Sequence, residues 1–243
     1  GGEPLLFHPI LVRGVREAAD SGFRVGLVSN AYWATSPEDA EVWLEPIAAQ
    51  LSDLSLSSDL YHATERISQQ VRDARSAAEK LGIPVNVVSI AEPESGACGG
   101  TGQLPHGESG VMFRGRAAAT LASRAPHRPW REFGECPHED LEDPGRVHVD
   151  PLGFAHVCQG ISLGNVLTEG LRTICERYEP ASHPICGPLR EGGPAELARR
   201  YGLEPRKAYA DACQLCDDSR RHLRARFPEV LTPDQMYGVP DSG

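Results

Sequence analysis

FHPILVRGVREAADSGFRVGLVSN, residues 7–30, decides the fold class. From Phe7 to Ser21 the apolar residues Ile10, Leu11, Val15, Ala18 and Ala19 recur at helical spacing, with Arg13, Arg16, Glu17 and Asp20 on the opposite face. Gly22 stands where a helix ends in a left-handed residue, and Arg24–Ser29 reads as a short buried strand. The same punctuation returns downstream. Leu60, Ile67, Val71, Ala74, Ala78 and Leu81 repeat the helical pattern, Gly82 breaks it, and residues 84–90 follow as a strand. Between these units, residues 37–50 form a weaker helix and residues 53–57 a strand. Alternation of this kind predicts an α/β unit with a parallel sheet and right-handed crossovers. Wound sheets and barrels both carry their chemistry at the carboxyl ends of strands, here Ser29-Asn30, Ser57-Ser58-Asp59 and Glu92.

After Ala91 the texture changes. Residues 94–110 are rich in Gly and read as a loop, and residues 123–146 are rich in Pro and charge and read as irregular. Residues 146–150 and 154–157 flank Pro151-Leu152-Gly153 as a hairpin, and helices are predicted over 165–178, 194–201 and 206–226. The expected organisation is an α/β domain over 1–125 and a small cysteine-rich α+β domain over 126–243.

Composition narrows the class. The 243 residues carry 24 Lys+Arg against 34 Asp+Glu, a formal net charge of −10, which opposes broad contact with a phosphate backbone. No apolar run approaches the roughly 20 residues that span a bilayer. No basic stretch followed by an apolar core opens the chain. Neither a nucleic acid nor a membrane is therefore an expected partner, and the expected compartment is the reducing cytoplasm. There, five of the seven cysteines falling between 158 and 216 suggest metal more than disulfides.

Cys213-Gln-Leu-Cys216 places two sulfurs within one helical turn of each other, and Cys136 and Cys158 complete a candidate set of four. Four thiolates suit either structural zinc or an iron–sulfur cluster. Cys175 beside Ile174, and Cys186, read as packing residues; Cys98 lies in the Gly-rich stretch. His148 and His156 alternate with valines and read as strand histidines held by hydrogen bonds. His62 and Glu65 read as a helix start, and residues 220–226 as a charged helix face.

Gly1-Gly2-Glu3-Pro4-Leu5-Leu6, followed by helix, Gly22, strand and Ser29-Asn30, resembles the radical S-adenosylmethionine superfamily. That resemblance implies a partial (β/α) barrel lacking its first strand. Gly1, Gly2 and Glu3 would then hold the amino group of S-adenosylmethionine, and Ser29, Asn30, Ser57 and Asp59 would line its site. Ala31 replaces the usual Gly of the family's Thr-Asn-Gly pattern. Cys136…Gly153-x4-Cys158, the segment Ile161–Val166 and Cys213-x-x-Cys216 resemble a SPASM or twitch domain, which implies an auxiliary [4Fe–4S] cluster on Cys136, Cys158, Cys213 and Cys216. The resemblance also implies an external electron donor and a substrate, by family analogy a peptide or protein, that loses a hydrogen atom to a 5′-deoxyadenosyl radical. The family's Cys-x3-Cys-x2-Cys, which holds the radical cluster, is absent from these cysteines. Its expected place is before Gly1, in a longer product of which this chain is a fragment. The competing expectation is a non-enzymatic module with a structural zinc site made by the four thiolates.

Overall fold

The computed structural model describes residues 2–57, 65–90, 93 and 108–239. It is a mixed α/β structure divided into two compact units, one ending at Val111 and one beginning at Met112. Residues 112–125, expected to belong with the first half, group with the second unit. Phe113 N–H donates to Asp211 Oδ2 at 3.1 Å, tying the start of this segment to a helix cap a hundred residues away in sequence.

The first unit follows the sequence pattern closely. Helix α1 (His8–Asp20) leads to β1 (Val25–Ser29), α2 (Pro37–Leu44) and a 3-10 turn (Glu45–Gln50) lead to β2 (Leu51–Ser57), and α3 (Glu65–Lys80) leads to β3 (Val85–Ile90). Both predicted glycine stops hold. Gly22 lies at φ +89° with Phe23 N bonded to Ala18 O, and Gly82 lies at φ +72° with Ile83 N bonded to Ala78 O. This double-bonded left-handed cap satisfies carbonyls that the helix end would otherwise orphan. Ser36 caps α2 by accepting from Asp39 N at 3.1 Å, and Pro37 starts the helix where no N–H is needed.

The strands form one parallel sheet in sequential order with β4 (Glu108–Ser109), a strand where the sequence pattern expected loop. Leu27, Leu54 and Leu56 are buried in a core shared with Val15, Leu44, Ile47, Val71 and Ala74 of the helical segments. On β1, Gly26 and Val28 alternate with these buried positions, and Val28 is 64% exposed.

The second unit departs further from expectation. The hairpin is real, but β6 (His148–Val149) and β7 (Phe154–Cys158) are joined by β8 (Ile161–Asn165), a third antiparallel strand beyond the predicted hairpin. Gly153 makes the turn at φ +85°; a Cβ there would meet Leu167 Cγ at 2.6 Å. Three predicted helices are displaced. The first is reduced to α5 (Leu171–Glu176), because Asn165 is held by the sheet and by the turn that follows it rather than by a helix. The second runs as α6 (Cys186–Arg200), with non-helical Gly192 and Gly193 inside it. The third starts only at α7 (Ala212–Leu223), where Asp211 caps Gln214 N at 2.7 Å. The residues before that cap instead supply β9 (Ala208–Tyr209), paired with β5 (Arg128–Pro129). The short helix α4 (Arg116–Thr120) precedes them in the chain. Among the described residues no helix is long and apolar enough to cross a membrane.

Candidate functional site

In the first unit, three of the residues expected to meet a cofactor, Glu3, Ser29 and Asn30, come together at the carboxyl end of β1. Glu3 accepts from Ser29 Oγ at 2.9 Å through Oε1 and from Asn30 N at 2.9 Å through Oε2; Leu5 N adds a third donor at 3.3 Å. Ser29 is 2% exposed, and its hydroxyl is fully used. Besides donating to Glu3, it accepts from Ala31 N at 3.1 Å and from the Trp33 indole at 2.7 Å. Its role is therefore to position Glu3. Asn30 closes a local turn by accepting from Tyr32 N at 3.0 Å.

Ala31, fully buried, has φ +61°, the one non-glycine residue with positive φ among the described residues. A left-handed L-residue costs about 1–2 kcal/mol, so Ala31 carries local backbone strain that a glycine would not. Ser57 ends β2, half-buried, one residue beyond the Leu56 that pairs with Ser29. Gly2 is exposed beside Glu3. Gly1 and Asp59 lie outside the described residues, as do Ser58, His62 and Glu92. Glu3 has no cationic partner among the described residues, so its carboxylate keeps acceptor capacity for an ammonium group.

In the second unit, the four expected thiols line one pocket, together with Arg114, Arg220 and the apolar side chains of Leu141 and Leu189. They arrive on three supports. Cys158 ends β7, and Cys213 and Cys216 lie on the first turns of α7. Cys136 follows a loop clamped from two sides. Trp130 N bonds to Lys207 O at 3.2 Å, and Ala195 N bonds to Phe133 O at 3.1 Å. Gly193 makes the second clamp possible, because a Cβ there would lie 2.3 Å from Glu135 N.

Burial pushes the thiols of Cys158, Cys213 and Cys216 up, that of Cys216 to about 12, while Arg220 pulls Cys158 and Cys216 down. Binding a cation here would release protons. Among the described residues no three His, Cys, Asp or Glu side chains are grouped to hold a metal ion. A zinc tetrathiolate needs its sulfurs about 3.8 Å apart, from Zn–S bonds near 2.3 Å. A four-iron cluster, with one thiolate on each iron, needs a wider spread of sulfurs around one pocket.

The remaining cysteines and the histidines separate cleanly. Cys186 is fully buried at the start of α6, packed with Cys136 and Cys158, and burial raises its thiol to about 12. Cys175, expected in the core, is exposed, because on the short α5 it is Ile174 that turns inward at 1% exposure. Cys98 lies outside the described residues. His156, fully buried, pairs with Asp150 Oδ2 at 3.0 Å, and His148 stands opposite it across the strands. Burial lowers the His156 pKa against the pull of Asp150. The other oxygen of Asp150 accepts from Leu152 N and Phe154 N, so this carboxylate organises the hairpin that ends in Cys158.

Sequence reading missed Arg220. The charged face expected over residues 220–226 exists for Arg221, which pairs with Asp217 at 2.8 Å, and for Arg224, which pairs with Asp234. Arg220 itself is 3% exposed. A usable signal was present, since positions 213, 216 and 220 share one helical face. No family model matches the chain, and no curated protein matches it significantly.

Proposed function

We propose that this chain contributes the S-adenosylmethionine-facing strand ends and the auxiliary-cluster unit of a radical S-adenosylmethionine enzyme acting on a peptide or protein. The observation that carries the reading is the one pocket that Cys136, Cys158, Cys213 and Cys216 all line together with two guanidinium groups. Thiol donors, two guanidinium groups set against the single carboxylate of Glu139, and apolar walls fit a dianionic tetrathiolate centre. A zinc tetrathiolate and an oxidised four-iron cluster both carry a charge of about −2, so the guanidinium groups suit either; the resemblance of the cysteine pattern to SPASM and twitch domains is what favours the cluster.

The strand ends support the other half of the reading. A sequential parallel sheet is compatible with a partial barrel, and Glu3 is held at its carboxyl edge with acceptor capacity to spare. Glu3 would hold the ammonium group of S-adenosylmethionine, oriented by Ser29 and the Asn30 amide, while Ser57 would border the same site. When bound, S-adenosylmethionine supplies a 5′-deoxyadenosyl group as the hydrogen-abstracting agent once an electron is delivered to it, and the auxiliary cluster supplies an electron-transfer or substrate-binding centre. The ligands of the radical cluster itself are assigned to no residue of this chain, and the electron comes from an external donor.

The test is anaerobic reconstitution of the 243-residue chain with ferrous iron and sulfide. The expected product is brown, absorbs at roughly 400 nm and holds about four irons per chain. A colourless chain binding one zinc tightly would refute the cluster. For the strand ends, Glu3→Gln is expected to weaken S-adenosylmethionine binding in calorimetry; unchanged affinity removes that assignment.

A further inference from the structure

We propose that Arg220 is the buried counter-charge of the four-cysteine pocket and, with Arg114 at the rim, sets the reduction potential of the cluster held there. This inference rests on the cluster reading above and deepens it. Arg220 lies one turn beyond Cys216 and two beyond Cys213 on the same face of α7, and all three line the pocket. It is 3% exposed, and its neighbours on the helix differ from it in a telling way: Arg221 has Asp217 and Arg224 has Asp234, but among the described residues no carboxylate is bonded to Arg220. Its Nη1 donates to Gln159 O at 2.8 Å, next to Cys158, while its Nε is buried without a hydrogen-bond partner among the described residues.

The surroundings are shaped around this guanidinium. Tyr237 places its ring 5.8 Å away, anchored by its hydroxyl to Gly160 O at 2.5 Å. Gly160 has φ +88°, and a Cβ there would lie 2.9 Å from the Tyr237 hydroxyl and 3.3 Å from Arg220 Nη1. Arg114 also lines the pocket, with Nη1 3.8 Å from Cys158 Sγ.

A buried cation without a bonded anion is unfavourable, and thiolates on the same helix face are the natural compensation. Burial opposes the Arg220 charge, while the neighbouring Cys216, Tyr237, Cys158 and Asp217 favour it. Four thiolates around an oxidised four-iron core carry a net charge of about −2, and one electron from a reductant takes this to about −3. A fixed positive charge in a low-dielectric pocket favours the more negative state, so its removal makes reduction harder.

The experiment compares the reconstituted wild-type chain with Arg220→Gln and Arg220→Lys, using EPR of samples poised with dithionite and mediators at one fixed potential. With about four irons retained, Arg220→Gln is expected to lower the ratio of reduced to oxidised cluster at least tenfold, equivalent to about 59 mV for a one-electron couple. Arg220→Lys, which keeps the charge, is expected to stay within about threefold of wild type. An iron-loaded glutamine variant within about threefold of wild type overturns the inference while leaving the cluster reading intact. A lysine variant shifted as far as the glutamine one also overturns it, because shape rather than charge would then be responsible. Should the glutamine variant fail to fold, Arg114→Gln is expected to lower the same ratio severalfold, and an unchanged ratio overturns the inference. A wild-type chain that takes up no iron overturns the cluster reading and this inference with it.

Discussion

Replacing Ser29 by Ala removes one oxygen on which three groups depend. Trp33 Nε1 at 2.7 Å and Ala31 N at 3.1 Å lose their acceptor inside residues that are 2% and 0% exposed, and Glu3 loses one of its three donors. An unsatisfied buried donor costs about 1–3 kcal/mol, and no water can readily reach either. Allowing for partial relaxation, the expected loss is about 3 kcal/mol. With a urea slope of about 1.5 kcal/mol/M for a unit of this size, the midpoint of the first unit falls by about 2 M. Tryptophan fluorescence during urea unfolding reads this transition, since Trp33 and Trp43 both belong to the first unit. A double-mutant cycle with Trp33→Phe isolates the indole bond. In the phenylalanine background Ser29→Ala is expected to cost about 1–2 kcal/mol less, because the donor in need of an acceptor has gone. A Ser29→Ala loss under about 0.5 kcal/mol, or strictly additive effects, would refute the network as the holder of Glu3.

Gly193→Ala puts a methyl group into the backbone of residues 133–135 at a position with φ +62°. It is expected to destabilise the second unit by more than about 2 kcal/mol in thermal unfolding, and to lower iron uptake by displacing Cys136. His183 accepts backbone N–H groups from Ile185 at 3.2 Å and Cys186 at 3.0 Å through Nδ1, and burial holds its pKa down at about 4 against an ordinary 6.5. The unfolded chain therefore binds a proton first. This contribution to stability is complete above about pH 6.5 and is lost as the pH falls towards about 4, by about 2–3 kcal/mol in all. Urea midpoints measured from about pH 7.5 down to about 4.5 are expected to fall less steeply in His183→Asn, whose side-chain oxygen can still accept but does not titrate.

The legible part of the fold is the part written in local rules. Gly22 and Gly82 end helices because only a residue at ease with positive φ closes that cap, so the alternation of helix and strand from residue 7 to 90 could be read without knowing any contact. The grouping of Glu3 with Ser29 and Asn30 was expected on resemblance alone, and the hydrogen bonds now give it a physical basis. The second unit was harder because its elements begin where distant partners permit. Helix α7 starts at Asp211, a residue also engaged by Phe113, and α6 breaks at Gly192 and Gly193 to admit the backbone of residues 133–135.

The sequence by itself determined the chemistry on offer: the four thiols, the paired spacing of Cys213 and Cys216, and an acidic residue after two glycines. Tertiary structure alone decided which of these groups meet and which charges lose their water. Cys136 and Cys158 reach α7 only through a clamped loop and a three-stranded sheet, contacts far apart in sequence that no periodicity encodes. Arg220 and Arg221 are adjacent and chemically identical, yet one is buried beside thiols and the other pairs with Asp217. Successive helical residues are turned by about 100°, and only packing determines which of them faces the interior.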